Sequence, residues 1–343
     1  MPWPVVASEH DTPRYGGGST DGVGPMTDLV TFGETVLRLS PPGRERVEDA
    51  SRFECRTGGP ESNTAIAAQK LGAASTWMSK LPDDPLGRRI VGDLRSHGIE
   101  ADVVWSSHGR QGTVYMEHAG EPRGTKVVPD REGTAITDCT ADELDTGKVE
   151  DARAFYTTGA TPAISETLRE TTVELLKVAH DAGTTTAMDL NYRSGLWSPE
   201  AARETLTQLF PAIDVLVTAA GDAETVLGYD DTDPNKIAHT LASKYDFETV
   251  VVTKGELGAT AWHDNVIHDH DAYESETVNP FGATDALTGA FLARRMAGDD
   301  VGRALEYGAA TAAIARTLPG DAVTVTREEV EEVIGDKINR ITR

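Results

Sequence analysis

The sequence predicts an α/β protein: a mostly parallel sheet covered by helices on both faces, with a small antiparallel sheet projecting from it as a lid. Three observations carry this. Short apolar runs of buried-strand length recur along the chain, amphipathic stretches of helical period separate them, and two segments break the rhythm by alternating apolar and polar residues around Gly and Pro turns. Strands alternating with helices call for crossover connections and parallel neighbours, whereas alternation around tight turns marks hairpins with one solvated face.

Taken in order, residues 1–27 are rich in Gly, Pro, Ser and Asp, lack the basic start and apolar centre of a signal peptide, and read as a disordered extension ahead of one domain over 28–343. DLVTF (28–32) reads as the first buried strand. Residues 34–57 and 99–132 are the two alternating segments; neither hairpin could stand alone, so together they are expected to form the small sheet, a lid over a cleft. ARAFYTT (152–158), TTAMDLN (185–191), IDVLVT (213–218) and ETVVVTK (248–254) read as further buried strands. Between them, 165–183 is amphipathic, with Ser165 as N-cap and Gly183 as stop, and 198–210 opens with Ser198 at the N-cap and Pro199 at the first helical position.

Charge and composition exclude several functions. The chain has 343 residues, with 32 Lys plus Arg against 56 Asp plus Glu, a formal charge of −24. Such a surface repels nucleic acid and anionic membranes. Its self-repulsion is screened in concentrated salt, where the Debye length falls to roughly 3 Å, so a salt-adapted protein is expected over an ordinary acidic one. The two cysteines, Cys55 and Cys139, belong to no metal-binding spacing, and no apolar run is long enough to span a membrane. A cytoplasmic protein is expected.

Neither a GxxxxGK[ST] loop nor a GxGxxG after the first strand is present. The best place for phosphate is NPFGATD (279–285), where Pro280 and Gly282 bend the chain into an apolar helical stretch running to Gly298. A helix N-terminus offers unpaired amides and a positive dipole end to an anion. The same field is expected to keep Asp285 ionised and able to take a proton from a substrate hydroxyl. The plainer reading makes Thr284 an N-cap and Asp285 a first-turn acid with no ligand.

The order of motifs from about 28 to 330 resembles the ribokinase-like (PfkB) carbohydrate kinases. GGPESNTAIAAQKLG (58–72) is similar to the family's first signature, KLPDDPLGRRI (80–90) to the adjoining GxDxxG element with Pro82 for its first glycine, VVTKGELGA (251–259) to the strand and turn beside the nucleotide, and NPFGATDALTGAF to the second signature, usually built on GAGD. The resemblance implies a ribokinase-like three-layer αβα sandwich using ATP and Mg²⁺, with Asp285 as catalytic base and the amides of Gly282, Ala283 and Thr284 as anion hole. It further implies Lys254, Gly255 and Gly258 along the nucleotide, and Gly58, Gly59 and Asn63 at the sugar. A glycine admits a ligand to the backbone and an amide both donates and accepts, although a capped loop would use the same residues.

Within the family, AMDLNYRSGLWSP (187–199), FYTTGATPAIS (155–165) and VYMEHAGEPRGTKVVPDREGTA (114–135) resemble the 2-keto-3-deoxygluconate kinases. This implies phosphorylation of O6 of that sugar acid, with Tyr115 on the sugar and Arg193 on its carboxylate. A guanidinium fork suits a carboxylate; the alternatives are an ion pair of Arg193 with Asp189 or a surface acid, and a merely half-buried aromatic at Tyr115. Three departures stand out. Thr284 replaces a glycine and would be strained at positive φ, Asn279 replaces an acid, and the family's Mg²⁺-positioning N-x-x-E falls on Ala219 to Asp222, leaving Asp222 as the carboxylate for a hydrated ion. Another ribokinase-like kinase, for fructose, ribose or a nucleoside, and a catalytically weakened sugar-acid sensor are the competing readings. The lid's open strand edges suggest a homo-oligomer.

Overall fold

The computed structural model describes residues 27–118, 120–229 and 233–335. Apart from Thr27, the extension expected to be disordered lies outside them. The strands are β1 (Leu29–Phe32), β2 (Val36–Ser40), β3 (Glu54–Gly58), β4 (Ser75–Pro82), β5 (Glu100–Ser106), β6 (Thr113–His118), β7 (Thr125–Asp130), β8 (Ala154–Thr158), β9 (Thr185–Asp189), β10 (Val215–Ala219), β11 (Thr249–Thr253), β12 (Gly258–His263) and β13 (Val266–Asp271). They form a nine-stranded sheet in the order β13-β12-β11-β10-β9-β8-β1-β4-β5 and a four-stranded sheet in the order β3-β2-β6-β7. The larger is parallel from β5 to β11, and β12 and β13 add an antiparallel hairpin at that edge.

Alternate residues of its strands feed two cores. Leu29, Tyr156, Ala187, Val217 and Val251 pack with the helices Ala283–Met296 and Val301–Arg316. Val30, Phe155, Met188, Leu216 and Val250 pack on the other side with Glu166–Ala182 and Pro199–Leu209. This is the α/β sandwich expected, and the period of two sorts each strand's side chains between its layers. The expected caps form: Ser165 Oγ accepts from the Leu168 amide at 3.1 Å, Gly183 ends that helix at φ 79°, and Ser198 Oγ accepts from the Ala201 amide at 3.3 Å.

Two details differ from expectation. Residues 99–106 do not join the small sheet: β5 runs parallel to β4 at the edge of the large one, from Thr76↔Glu100 to Pro82↔Ser106. An edge strand with a single covered face alternates just as a hairpin strand does, so the pattern alone could not assign it. Second, the small sheet is mixed. Its outer pairs are antiparallel, but its central pair, β2 with β6, is parallel.

Strand order reverses at β1, with β4 and β5 on one side and β8 to β11 on the other. The crevice outside the carboxyl ends at such a reversal is where open α/β sheets bind ligands. No described helix is long and apolar enough to cross a membrane.

Candidate active site

A cavity of about 480 Å³ opens at this crevice beneath the small sheet, and Gly58, Gly59, Asn63, Arg193, Gly282 and Asp285 all line it. Asp285 lies in the first turn of the Ala283–Met296 helix, is 7% exposed, and its Oδ2 accepts from Asn63 Nδ2 at 2.8 Å. The first and second signatures therefore meet through this bond and through Thr64 Oγ1, which donates to the Asp285 carbonyl at 3.4 Å. The helix starts on Gly282 at φ 77°, where a Cβ would collide with the Asp321 carbonyl, so only glycine fits. That single left-handed residue makes the whole turn. Thr284 sits inside the helix, not at positive φ, and is not the N-cap. The strain expected at Thr284 and its alternative capping role both fall away.

Burial pushes the Asp285 carboxyl up to about 7; the Asn63 bond and the Arg193 charge pull against it, while Asp321 and Glu61 add to it. The helix-start field does not hold this acid in the ordinary range, because desolvation of the buried carboxyl outweighs a partial charge. A carboxyl near 7 is well matched to proton transfer at neutral pH.

Arg193 lines the cavity from a loop whose preceding residues are tied down by two acids. Asp189 takes both the amide and the side-chain nitrogen of Asn191 at 3.1 Å, and Asp222 takes the Tyr192 amide at 3.0 Å. Burial raises both acids, Asp189 to about 7. With Asp189 occupied by Asn191, the expected alternative of an Asp189–Arg193 ion pair does not form, and no ion pair holds Arg193 among the described residues.

Ala283 and Thr284 face the other way, into a narrow cleft shared with Gly255, Gly258, Ala312 and Arg316, which continues into an open groove of about 790 Å³ along residues 272–277. Gly258, at φ 110°, has the His270 carbonyl where a Cβ would sit. Lys254, expected along the nucleotide, does not line the cleft; its ammonium donates to Asp269 at 2.8 Å. Among the described residues no group of three His, Cys, Asp or Glu could hold a metal directly. Asp222, with one oxygen on the Tyr192 amide, fits a hydrated magnesium held mostly by phosphate and water.

Tyr115, expected on the sugar, does not line the cavity. Its neighbours Val114 and Met116 line the cavity, so the strand's period of two turns Tyr115 to the opposite face, where its ring meets Phe53 edge-on at 5.7 Å. Three cavity features escaped the sequence reading. Glu61 is buried beside Asp285's partner Asn63, Glu34 is ion-paired to Arg131 at 2.7 Å, and Arg38 is paired with Asp321. Glu61 lies inside GGPESNTAIAAQKLG, where an acid amid small residues was the available signal; Arg38 and Asp321 lie too far apart in sequence to suggest each other.

Residues 26–328 match the pfkB family carbohydrate kinases. The chain belongs to this family. It is 54% identical to a 2-dehydro-3-deoxygalactonokinase of Haloferax volcanii over 90% of this chain and 96% of the relative. It is 29% identical to a 2-dehydro-3-deoxygluconokinase of Thermoproteus tenax over 90% of this chain and 94% of the relative. Among solved structures, a 2-dehydro-3-deoxygluconokinase of Thermotoga maritima superposes with a TM-score of 0.86 at 32% identity, covering 91% of this chain and 99% of that one. The pfkB fold thus accounts for the crevice, the small sheet and the helix start between cavity and cleft.

Proposed function

We propose that the protein transfers the γ-phosphoryl group of ATP to the terminal hydroxyl of a 2-keto-3-deoxy sugar acid (the 2-dehydro-3-deoxy acids of its relatives). The galactonate epimer is its first substrate and the gluconate epimer, expected from sequence, its second. One observation carries the reading: a single helix start turns Gly282 and Asp285 into the cavity and Ala283 and Thr284 into the narrow cleft. A hydroxyl in the cavity and a phosphate in the cleft would be separated only by that turn, the geometry an in-line transfer needs. The 54% identity to the Haloferax volcanii enzyme supports the galactonate epimer, and Arg193, free to meet a carboxylate, supports an acid over a neutral sugar.

In this mechanism the small sheet closes over the sugar acid as a lid and excludes water. Arg193 holds the carboxylate, Gly58 and Gly59 admit the sugar to the backbone, and Asn63 orients Asp285 through the bond already formed. Asp285 takes the proton of the terminal hydroxyl as it attacks the γ-phosphorus. The amides of Gly282, Ala283 and Thr284 face the charge on the transferring group. Magnesium, when bound with the nucleotide, neutralises phosphate charge, and Asp222 is the carboxylate that would hold its water shell. Homo-oligomers would form through the small sheet, whose β7 is exposed along its length.

The test is an ADP-release assay in molar KCl with MgATP, offering both keto-deoxy epimers, fructose and ribose, with Asp285→Asn alongside. Turnover of the keto-deoxy acids, with the galactonate epimer ahead, is expected. Turnover confined to fructose or ribose would replace the substrate reading. Folded protein that binds the acids without turnover would make it a sensor.

A further inference from the structure

Glu61 is 1% exposed and lines the cavity, yet the mechanism above leaves it idle. Its Oε1 is saturated: it accepts from the Thr158 amide at 3.2 Å, the Thr158 hydroxyl at 2.6 Å and the Thr161 hydroxyl at 2.7 Å. Among the described residues no hydrogen bond from another residue reaches Oε2. The chain makes room for this carboxyl, since a Cβ on Gly33 at the end of β1 would collide with it. Tying down the 158–161 loop needs only the oxygen already used, and a glutamine would supply that without burying a charge. A buried carboxylate with one oxygen that no other residue serves has an acceptor open to a donor from the ligand.

A 2-keto-3-deoxy sugar acid narrows what that donor is. Its carboxylate and keto oxygens only accept, and its terminal hydroxyl belongs to Asp285, which leaves the hydroxyls on C4 and C5. We infer that Glu61 is a specificity-determining residue whose Oε2 accepts a hydrogen bond from one of these secondary hydroxyls. This rests on the substrate reading above. When ionised, the same group repels the substrate's carboxylate, steering that end to Arg193 and fixing which way round the sugar lies.

Glu61→Gln tests this, because its amide oxygen can keep the three bonds from Thr158 and Thr161 while its nitrogen puts a donor where the acceptor was. The Michaelis constant for the sugar acid should rise about 10- to 100-fold, with that for ATP within twofold and the melting temperature not lowered. A sugar-acid constant within twofold of wild type would overturn the inference. Thr161→Val separates the loop from the acid: it should lower the melting temperature and shift the sugar constant by less than about threefold, and a shift equal to that of Glu61→Gln would overturn it. Independently of any variant, wild-type protein should use either the 4-deoxy or the 5-deoxy analogue at least ~10²-fold less well than the parent acid; equal use of both would overturn it too. If wild type turns over neither acid, the substrate reading fails separately. Calorimetric binding of the same acids without ATP then decides Glu61: tenfold or weaker binding by Glu61→Gln supports it, and anything less, or no binding by wild type, overturns it.

Discussion

On one side of the Ala283–Met296 helix start, the cavity is walled by side chains from distant parts of the chain, with Glu34, Glu61 and Asp285 buried among them. On the other, the cleft is walled largely by small residues, Gly255, Gly258, Ala283 and Ala312, and opens to solvent along 272–277. In the cavity, burial moves pKa values and unpaired atoms wait for specific partners; in the cleft, phosphate would meet backbone amides, which any sequence supplies once the turn is made. Substitutions should therefore read out differently on the two sides: by side-chain chemistry at the sugar, and by backbone geometry at the nucleotide.

The largest effect is expected from Asp285→Asn, which should lower turnover by about 10³-fold in the ADP-release assay. Unchanged turnover would place the chemistry outside the cavity. Next comes Gly282→Ala, which sets a Cβ against the Asp321 carbonyl at positive φ; it should destabilise by ~1–3 kcal/mol in thermal or denaturant unfolding and cut turnover at least ~10-fold by deforming the amide turn. Arg193→Met should raise the Michaelis constant for the sugar acid about 10- to 100-fold and leave that for ATP within twofold. A matching rise for ATP would mean that the two sides are not separable.

The pH dependence sharpens the contrast further. With Asp285 raised to about 7, kcat/KM should fall on the acid side with an apparent midpoint near 7, well above that of an ordinary aspartate. Stability should run the opposite way. Glu61, Asp189 and Asp285 all have folded-state values raised to about 7, so their contribution is full below the unfolded-state range near 4 and is lost as pH rises through 7. Melting temperature should thus decline between pH 5 and 8, less steeply in Asp285→Asn. The smallest effect belongs to Tyr115→Leu, which should change the sugar-acid Michaelis constant less than about twofold, because the ring packs on Phe53 outside the cavity. A tenfold change would restore Tyr115 to the site.

Local pattern was enough for the buried strands at 28–32, 152–158, 185–191, 213–218 and 248–254, for the helices begun at Ser165 and Ser198, and for the turn at Gly282 ahead of Asp285. These depend on neighbours a few residues apart, whose spacing is visible in one dimension. Folding set which face Tyr115 takes, which sheet residues 99–106 join, and the pairing of Lys254 with Asp269. It also decided that Thr284 escapes strain and that Asp285 is raised rather than held in the ordinary range. Register and desolvation are properties of the packed assembly: Arg38 meets Asp321 across 283 positions, and Glu61 finds its threonines 97 and 100 residues on. Contacts at such separations exist only after the chain has folded, and so leave no local pattern to read.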